Sequence, residues 1–141
     1  MKDYNYHIGL KLRIYPSDKQ KKIIKMNGGA SRYIYNKLVA DNNEMYELNK
    51  SSSFSIADRN RLEFLESIHK TKSNMLIMIP FLSQKEIDSD MIDNAIQNYK
   101  MAWNQYKKVK GASVPIFHKK DNTSLVISQG LGNSSFPLRI N

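Results

Sequence analysis

The sequence predicts an α+β fold with β structure at each end of the chain and helices between, both termini contributing to one sheet or barrel. Three observations predict it. Residues 4–15 alternate apolar and polar side chains, residues 17 to about 108 carry helix caps and a 3.6-residue apolar rhythm, and the last thirty residues fall into short β-like runs around a glycine turn. With 141 residues, 40% of them hydrophobic, the chain is long enough to bury one real core.

Tyr4, Tyr6, Ile8, Leu10, Leu12 and Ile14 fall on one face of the first segment, and Asn5, His7, Gly9, Lys11, Arg13 and Tyr15 on the other. Period two over this length describes a long strand with one buried face. Pro16 ends it. Ser17 followed by Gln20 forms a capping box, and a short helix runs to about Met26, where Gly28-Gly29 stops it. A second helix extends from about Ala30 into "YELNK".

"KSSSFS" at 50–55 reads as a loop with Ser55 as cap, and a helix follows to about His69. "KTKSN" breaks it. Residues 75–82 are open between helix and loop, because Pro80 argues against a regular helix through them. The strongest helix covers roughly Asp90–Lys108, where Ile92, Ala95, Ile96, Tyr99, Ala102, Trp103 and Tyr106 keep the i, i+3, i+4 rhythm. "SLVIS" and "FPLRI" are short strands around the turn "GLGN".

Charge narrows the function. A formal charge of +9 and a pI near 9.7 point to a polyanionic partner, and RNA, DNA and an anionic membrane all fit. The absence of cysteine excludes disulfides and any cysteine-ligated zinc site within these residues. The start of the chain alternates where a signal peptide would be continuously apolar, and the longest apolar run, "MLIMIPFL", is far too short to span a bilayer. A soluble, cytoplasmic protein is the expectation.

Catalytic patterns find little support. His7, His69 and His118 are scattered without ligand spacing. "SIHK" matches S-x-x-K but lacks the companion motifs of that class. "GLGNSS" departs from the dinucleotide fingerprint and precedes no helix. Glu86, Asp88, Asp90 and Asp93 surround a helix start, where they complement its dipole. No catalytic residue, metal site or cofactor is expected. Basic residues interleaved with aromatic ones are the better signal: Lys11, Arg13 and Tyr15 on the strand, Lys19, Lys21, Lys22 and Lys25 on the next helix, and Phe117-His118-Lys119-Lys120 near the other end. Cations neutralise phosphates, and aromatic faces stack exposed bases.

The segment "LRIYPSDKQKKIIKMNGGASRYIYNKLVADNNEMY" resembles the start of TnpB (OrfB) proteins, transposon-encoded RNA-guided nucleases related to type V CRISPR effectors. The family pattern R-L-Y-P, an early Gln and G-x-x-R-F-V-Y-N is met by Arg13-Ile14-Tyr15-Pro16, Gln20 and Gly29-Ala30-Ser31-Arg32-Tyr33-Ile34-Tyr35-Asn36. Later, "FLSQKEIDSDMIDNAIQNYKMAWNQYKK" and "VPIFHKK" are similar to the family's long helix and its P-x-F-K segment.

The resemblance implies an OB-like wedge β-barrel split between residues 1–16 and 111–141, incomplete at its C-terminal side, with a helical recognition lobe of about four helices inserted at 17–110. It implies guide RNA, target duplex DNA and the C-terminal nuclease part of the same protein as partners, and no membrane. Lys11, Arg13, Lys19, Lys22, Lys119 and Lys120 would position RNA backbone, and Tyr15 and His118 would stack or hydrogen-bond. Ser89, Asp93 and Ser128 fall on the side that reads the short DNA motif beside the target. Family members often carry Lys or Gln on the helix turn where this chain has Ser89 and Asp93; an acid there accepts from cytosine N4 but repels phosphate.

The family's RuvC metal site and zinc ribbon lie downstream of this region, so these residues are expected to bind rather than cut. Four other readings stand beside this one. Helices 17–26 and 30–48 about the Gly28-Gly29 turn would make a helix-turn-helix binder of duplex DNA. The chain would otherwise be a piece of a nuclease-dead RNA-guided repressor, a subunit that completes its barrel with a partner, or an inactive remnant.

Overall fold

The computed structural model describes residues 13–68 and 71–120. Its first helix begins where the capping box places it. The Ser17 backbone N–H donates to Gln20 Oε1 at 2.8 Å, and Gln20 N–H donates to Ser17 Oγ at 3.4 Å. These reciprocal bonds satisfy donors that a helix start leaves without partners.

Helix α1 then runs unbroken over Asp18–Lys50, about 50 Å at 1.5 Å per residue. The expected stop at Gly28-Gly29 is corrected: both glycines are helical. Two central glycines cost a helix roughly 1 kcal/mol each. The stripe Ala30, Ile34, Leu38 and Val39 is buried immediately beyond them, and burying the three larger side chains is worth about 1.5–3 kcal/mol apiece. Tertiary burial therefore outweighs the local preference for a break.

Helix α2 covers Ile56–Ile68. Ser55 caps it as expected, its Oγ accepting from Asp58 N–H at 3.1 Å while Asp58 accepts from the Ser55 N–H and hydroxyl. The stretch left open by the sequence divides at Pro80. Helix α3 covers Lys72–Met78, with Thr71 as N-cap, and a single 3-10 turn spans Pro80–Ser83. Proline fits that first turn because its missing N–H would have no partner there. Helix α4 covers Ser89–Lys108 with Asp88 as N-cap.

The core lies between α1 and α4, closed at one side by α3 and the 3-10 turn. Ile34, Leu38 and Val39 meet Met91, Ile92, Ala95 and Ile96, with Met75, Ile79 and Leu82 beneath. Asn27 joins the two long helices. Its buried side-chain amide donates to the carbonyls of Ile23 at 3.0 Å and Glu86 at 2.8 Å, and its oxygen accepts from Asp88 N–H at 2.8 Å. Tyr99, three turns along α4, lies edge-on to Tyr35 with ring centroids 6.0 Å apart, so α1 and α4 run in the same direction. Helix α2 is held against α1 by Leu65, which is fully buried, and by Arg61, whose guanidinium donates to both oxygens of Glu44 at 2.6 and 2.9 Å.

The expected α+β class, with its OB-like wedge barrel, is contradicted: every regular element among the described residues is helical, and none is a strand. Alternation alone does not make a sheet, because a strand needs a neighbour to complete its hydrogen-bond ladder. Among the described residues, 13–17 pair with no strand, and residues 112–119 follow α4 without regular structure. Most of the expected first strand, and both "SLVIS" and "FPLRI", lie outside the described residues.

Candidate nucleic-acid interface

The first two turns of α1 project far enough beyond the core to expose their cations. Lys19, Lys22 and Lys25 follow one another at three-residue spacing, rising about 4.5 Å per step, and all three are exposed. Lys21, between them, is tied to Asp18 at 2.9 Å on the same surface. Just before the helix, Arg13 places its guanidinium 5.3 Å from the ring centre of Tyr15, and Tyr15 is 82% exposed. The strand-face pairing of these two therefore survives as a local cation–π contact without a strand. Lys11 and Ser128 lie outside the described residues.

A second basic group follows a residue anchored to α1 at Asn36, eleven residues beyond Lys25. After α4, Gly111 takes a left-handed turn at φ +90, and the chain comes back along the helix pair to His118. There the Asn36 side chain donates to the His118 carbonyl at 3.1 Å and accepts from the His118 N–H at 2.8 Å. The imidazole lies flat on Tyr35, ring centres 3.8 Å apart and planes 10° apart. Lys119 and Lys120 follow this anchored residue at the surface. Lys25 and Asn36 are separated by about 16 Å of helix.

Ser89 and Asp93 stand between those groups. Asn27 holds the start of α4 beside α1 just past Lys25. Ser89 is the exposed first residue of α4. Asp93 accepts from Lys72 Nζ at 3.1 Å, so its charge is partly answered within the protein. The carboxylates around this helix start serve as cap and first-turn acid, Asp88 and Asp90 respectively, and no group of three or more metal-ligating side chains gathers among the described residues.

Two residues were missed as site residues by sequence reasoning, although both belong to the quoted Tyr35-Asn36 motif. Tyr35 and Asn36 hold the returning segment and touch no solvent cation directly. Burial pushes the Tyr35 phenol above its ordinary value, and burial likewise raises Tyr99, so both rings are neutral throughout the physiological range. The signal that marked them was an amide next to a core-facing aromatic on a strongly periodic helix.

Residues 4–51 match the family model for the helix-turn-helix domain of IS605 OrfB proteins. The match makes this segment similar to that helix-turn-helix domain, a type of domain that docks on duplex DNA in other proteins. It covers about a third of the chain. No curated protein and no solved structure matches the chain. Within the matched segment, residues 18–50 form one continuous helix, so the division into helices 17–26 and 30–48 does not occur. No helix among the described residues is long and apolar enough to cross a membrane.

Proposed function

We propose that this chain is the nucleic-acid-binding N-terminal module of a TnpB-like, RNA-guided DNA-targeting protein, and that it carries no nuclease chemistry of its own. The observation behind this reading is the exposed row Lys19, Lys22 and Lys25 inside the segment that matches the OrfB domain, in a chain of charge +9. The row contacts phosphates of a structured guide RNA, and Arg13, Tyr15, Lys119 and Lys120 extend the contact. Residues 17–110 form the lobe that carries it, and a C-terminal nuclease part supplies any cutting. Ser89 and Asp93, at the shared level of α1 and α4, face the target duplex beside its recognition motif. In this division of labour the protein reads shape and a short motif, while base pairing supplies sequence.

A second reading, favoured by the description of the matched domain, is direct binding of duplex DNA by the same lysine row. Competition separates the two. The chain is offered RNA from the 3′ flank of its own locus, an unrelated structured RNA and duplex DNA at near-physiological salt. The guide-RNA reading expects clear preference for the flanking RNA and loss of that preference in Lys19→Glu/Lys22→Glu/Lys25→Glu. Tighter binding to the duplex would replace it with the second reading. Equal, steeply salt-dependent binding to all three would leave only counterion release and overturn both.

A further inference from the structure

The last turns of α4 and the returning segment 112–118 enclose a cleft of about 360 Å³. Tyr35 and His118, stacked on one another, are part of its lining. Tyr106, which is 40% exposed, lines it as well, with Pro115 and Ile116. Gln105 and Ser113 bring an amide and a hydroxyl to the same space, and no carboxylate lines it. Lys107, Lys108 and Lys110 follow Tyr106 directly in sequence, and all three are exposed.

We propose that this cleft receives one unpaired base of a single-stranded nucleic acid, a site that rests on the reading of the chain as a nucleic-acid binder. Three rings in the lining, Tyr35, Tyr106 and His118, suit a planar ligand, and every base offers a π-face irrespective of its identity. The amide and hydroxyl match the donor and acceptor edges of a base. The exposed lysines that follow Tyr106 in the chain would answer phosphates next to the base, whereas they would oppose the approach of a basic peptide. A base inside a duplex already has both faces covered by its neighbours and enters only after leaving the stack. The segment forming the outer wall is held in place by Asn36, so the cleft exists before any ligand arrives.

The test compares a short labelled oligouridine with an oligomer of equal phosphate number whose sugars carry no bases, using the full chain. The proposal expects the oligouridine to bind about tenfold more tightly or better, the size of one base–aromatic stack. Tyr106→Ala should erase that difference and Tyr106→Phe should keep it. Ser113→Trp, a substitution at an exposed position that fills the cleft, should erase it as well, with thermal melts confirming that each variant folds. Equal binding of the two oligomers by the unaltered chain, or a preference that survives both Tyr106→Ala and Ser113→Trp, overturns the cleft and leaves the nucleic-acid reading standing. Failure to bind either oligomer overturns the cleft, while the nucleic-acid reading is decided by the competition among flanking RNA, unrelated RNA and duplex DNA.

Discussion

The Asn36 side chain holds both polar backbone groups of His118, accepting from its N–H at 2.8 Å and donating to its carbonyl at 3.1 Å. It offers the extended segment the same pair of bonds that a neighbouring strand would offer. A residue on a helix thereby fixes the direction of a chain returning from 82 residues away in sequence, and with it the point where Lys119 and Lys120 emerge.

Replacing Asn36 by Asp keeps the acceptor for the His118 N–H and turns the donor into a second acceptor facing the carbonyl. The expected outcome is a loss of about 1–2 kcal/mol, typical of a hydrogen bond replaced by an opposed pair. Denaturant melts measure it. Hydrogen exchange at the His118 amide should accelerate in Asn36→Ala and much less in Asn36→Asp.

Gly28 and Gly29 have nothing within 4 Å of where a Cβ would stand, and neither has a positive φ. Gly28→Ala and Gly29→Ala should each stabilise the chain by about 0.5–1 kcal/mol, because alanine favours helix and restricts the unfolded chain. The midpoint of thermal unfolding reports the change. Destabilisation by either alanine would mean that the segment turns at this point and that α1 is two helices.

Asn27 is the most consequential buried polar residue. Asn27→Ala leaves the Glu86 carbonyl and the Asp88 N–H without their partner, at a cost of about 2–3 kcal/mol. Asn27→Asp should be nearly as harmful, since a carboxylate cannot donate to Glu86. Urea denaturation would show both losses, whereas a variant unfolding at the same denaturant concentration as the parent would contradict the joint between α1 and α4.

The Arg61 guanidinium hydrogen-bonded to Glu44 holds that carboxyl below the usual glutamate range. A depressed folded-state value means that the pair contributes stability above the ordinary glutamate value and loses it as pH falls through the depressed one. Both side chains are substantially exposed, so solvent screening limits the contribution to about 0.5 kcal/mol. Glu44→Gln should be less stable than the parent at neutral pH by about that amount, with the gap closing in acid. Stability measured across the acid range checks it.

What was legible in the sequence was what local chemistry decides. The Ser17/Gln20 box, the Ser55 cap and the rhythm of α4 each depend on residues within a turn or two of one another, and all three stand in the structure. Gly28-Gly29 misled because a break and a continuous helix differ by only a few kcal/mol, and the burial of Ala30, Ile34 and Leu38 against α4 is invisible in a local window. The site was legible as a charge pattern at Lys19, Lys22 and Lys25. His118, Lys119 and Lys120 were named from the sequence as well, but the link between Asn36 and His118 was not legible, since it needs α4 to run beside α1 and the chain to reverse at Gly111. A strand pattern is equally satisfied by a lone extended segment fastened to a helix.

Fully buried side chains on α1 run only from Asn27 to Asp41. The helix is therefore a beam clamped over its middle, with roughly 13 Å projecting at each end. The lysine row occupies one projection, and the other bears Glu44 and the hairpin partner α2. A tilt of about 10° about the middle of the clamp would carry each tip, roughly 25 Å away, some 4 Å in opposite senses, at the lengths that helix geometry sets. Any rotation of the lysine-bearing end about the clamp is thus matched at the far end, where the Glu44–Arg61 pair ties α1 to α2.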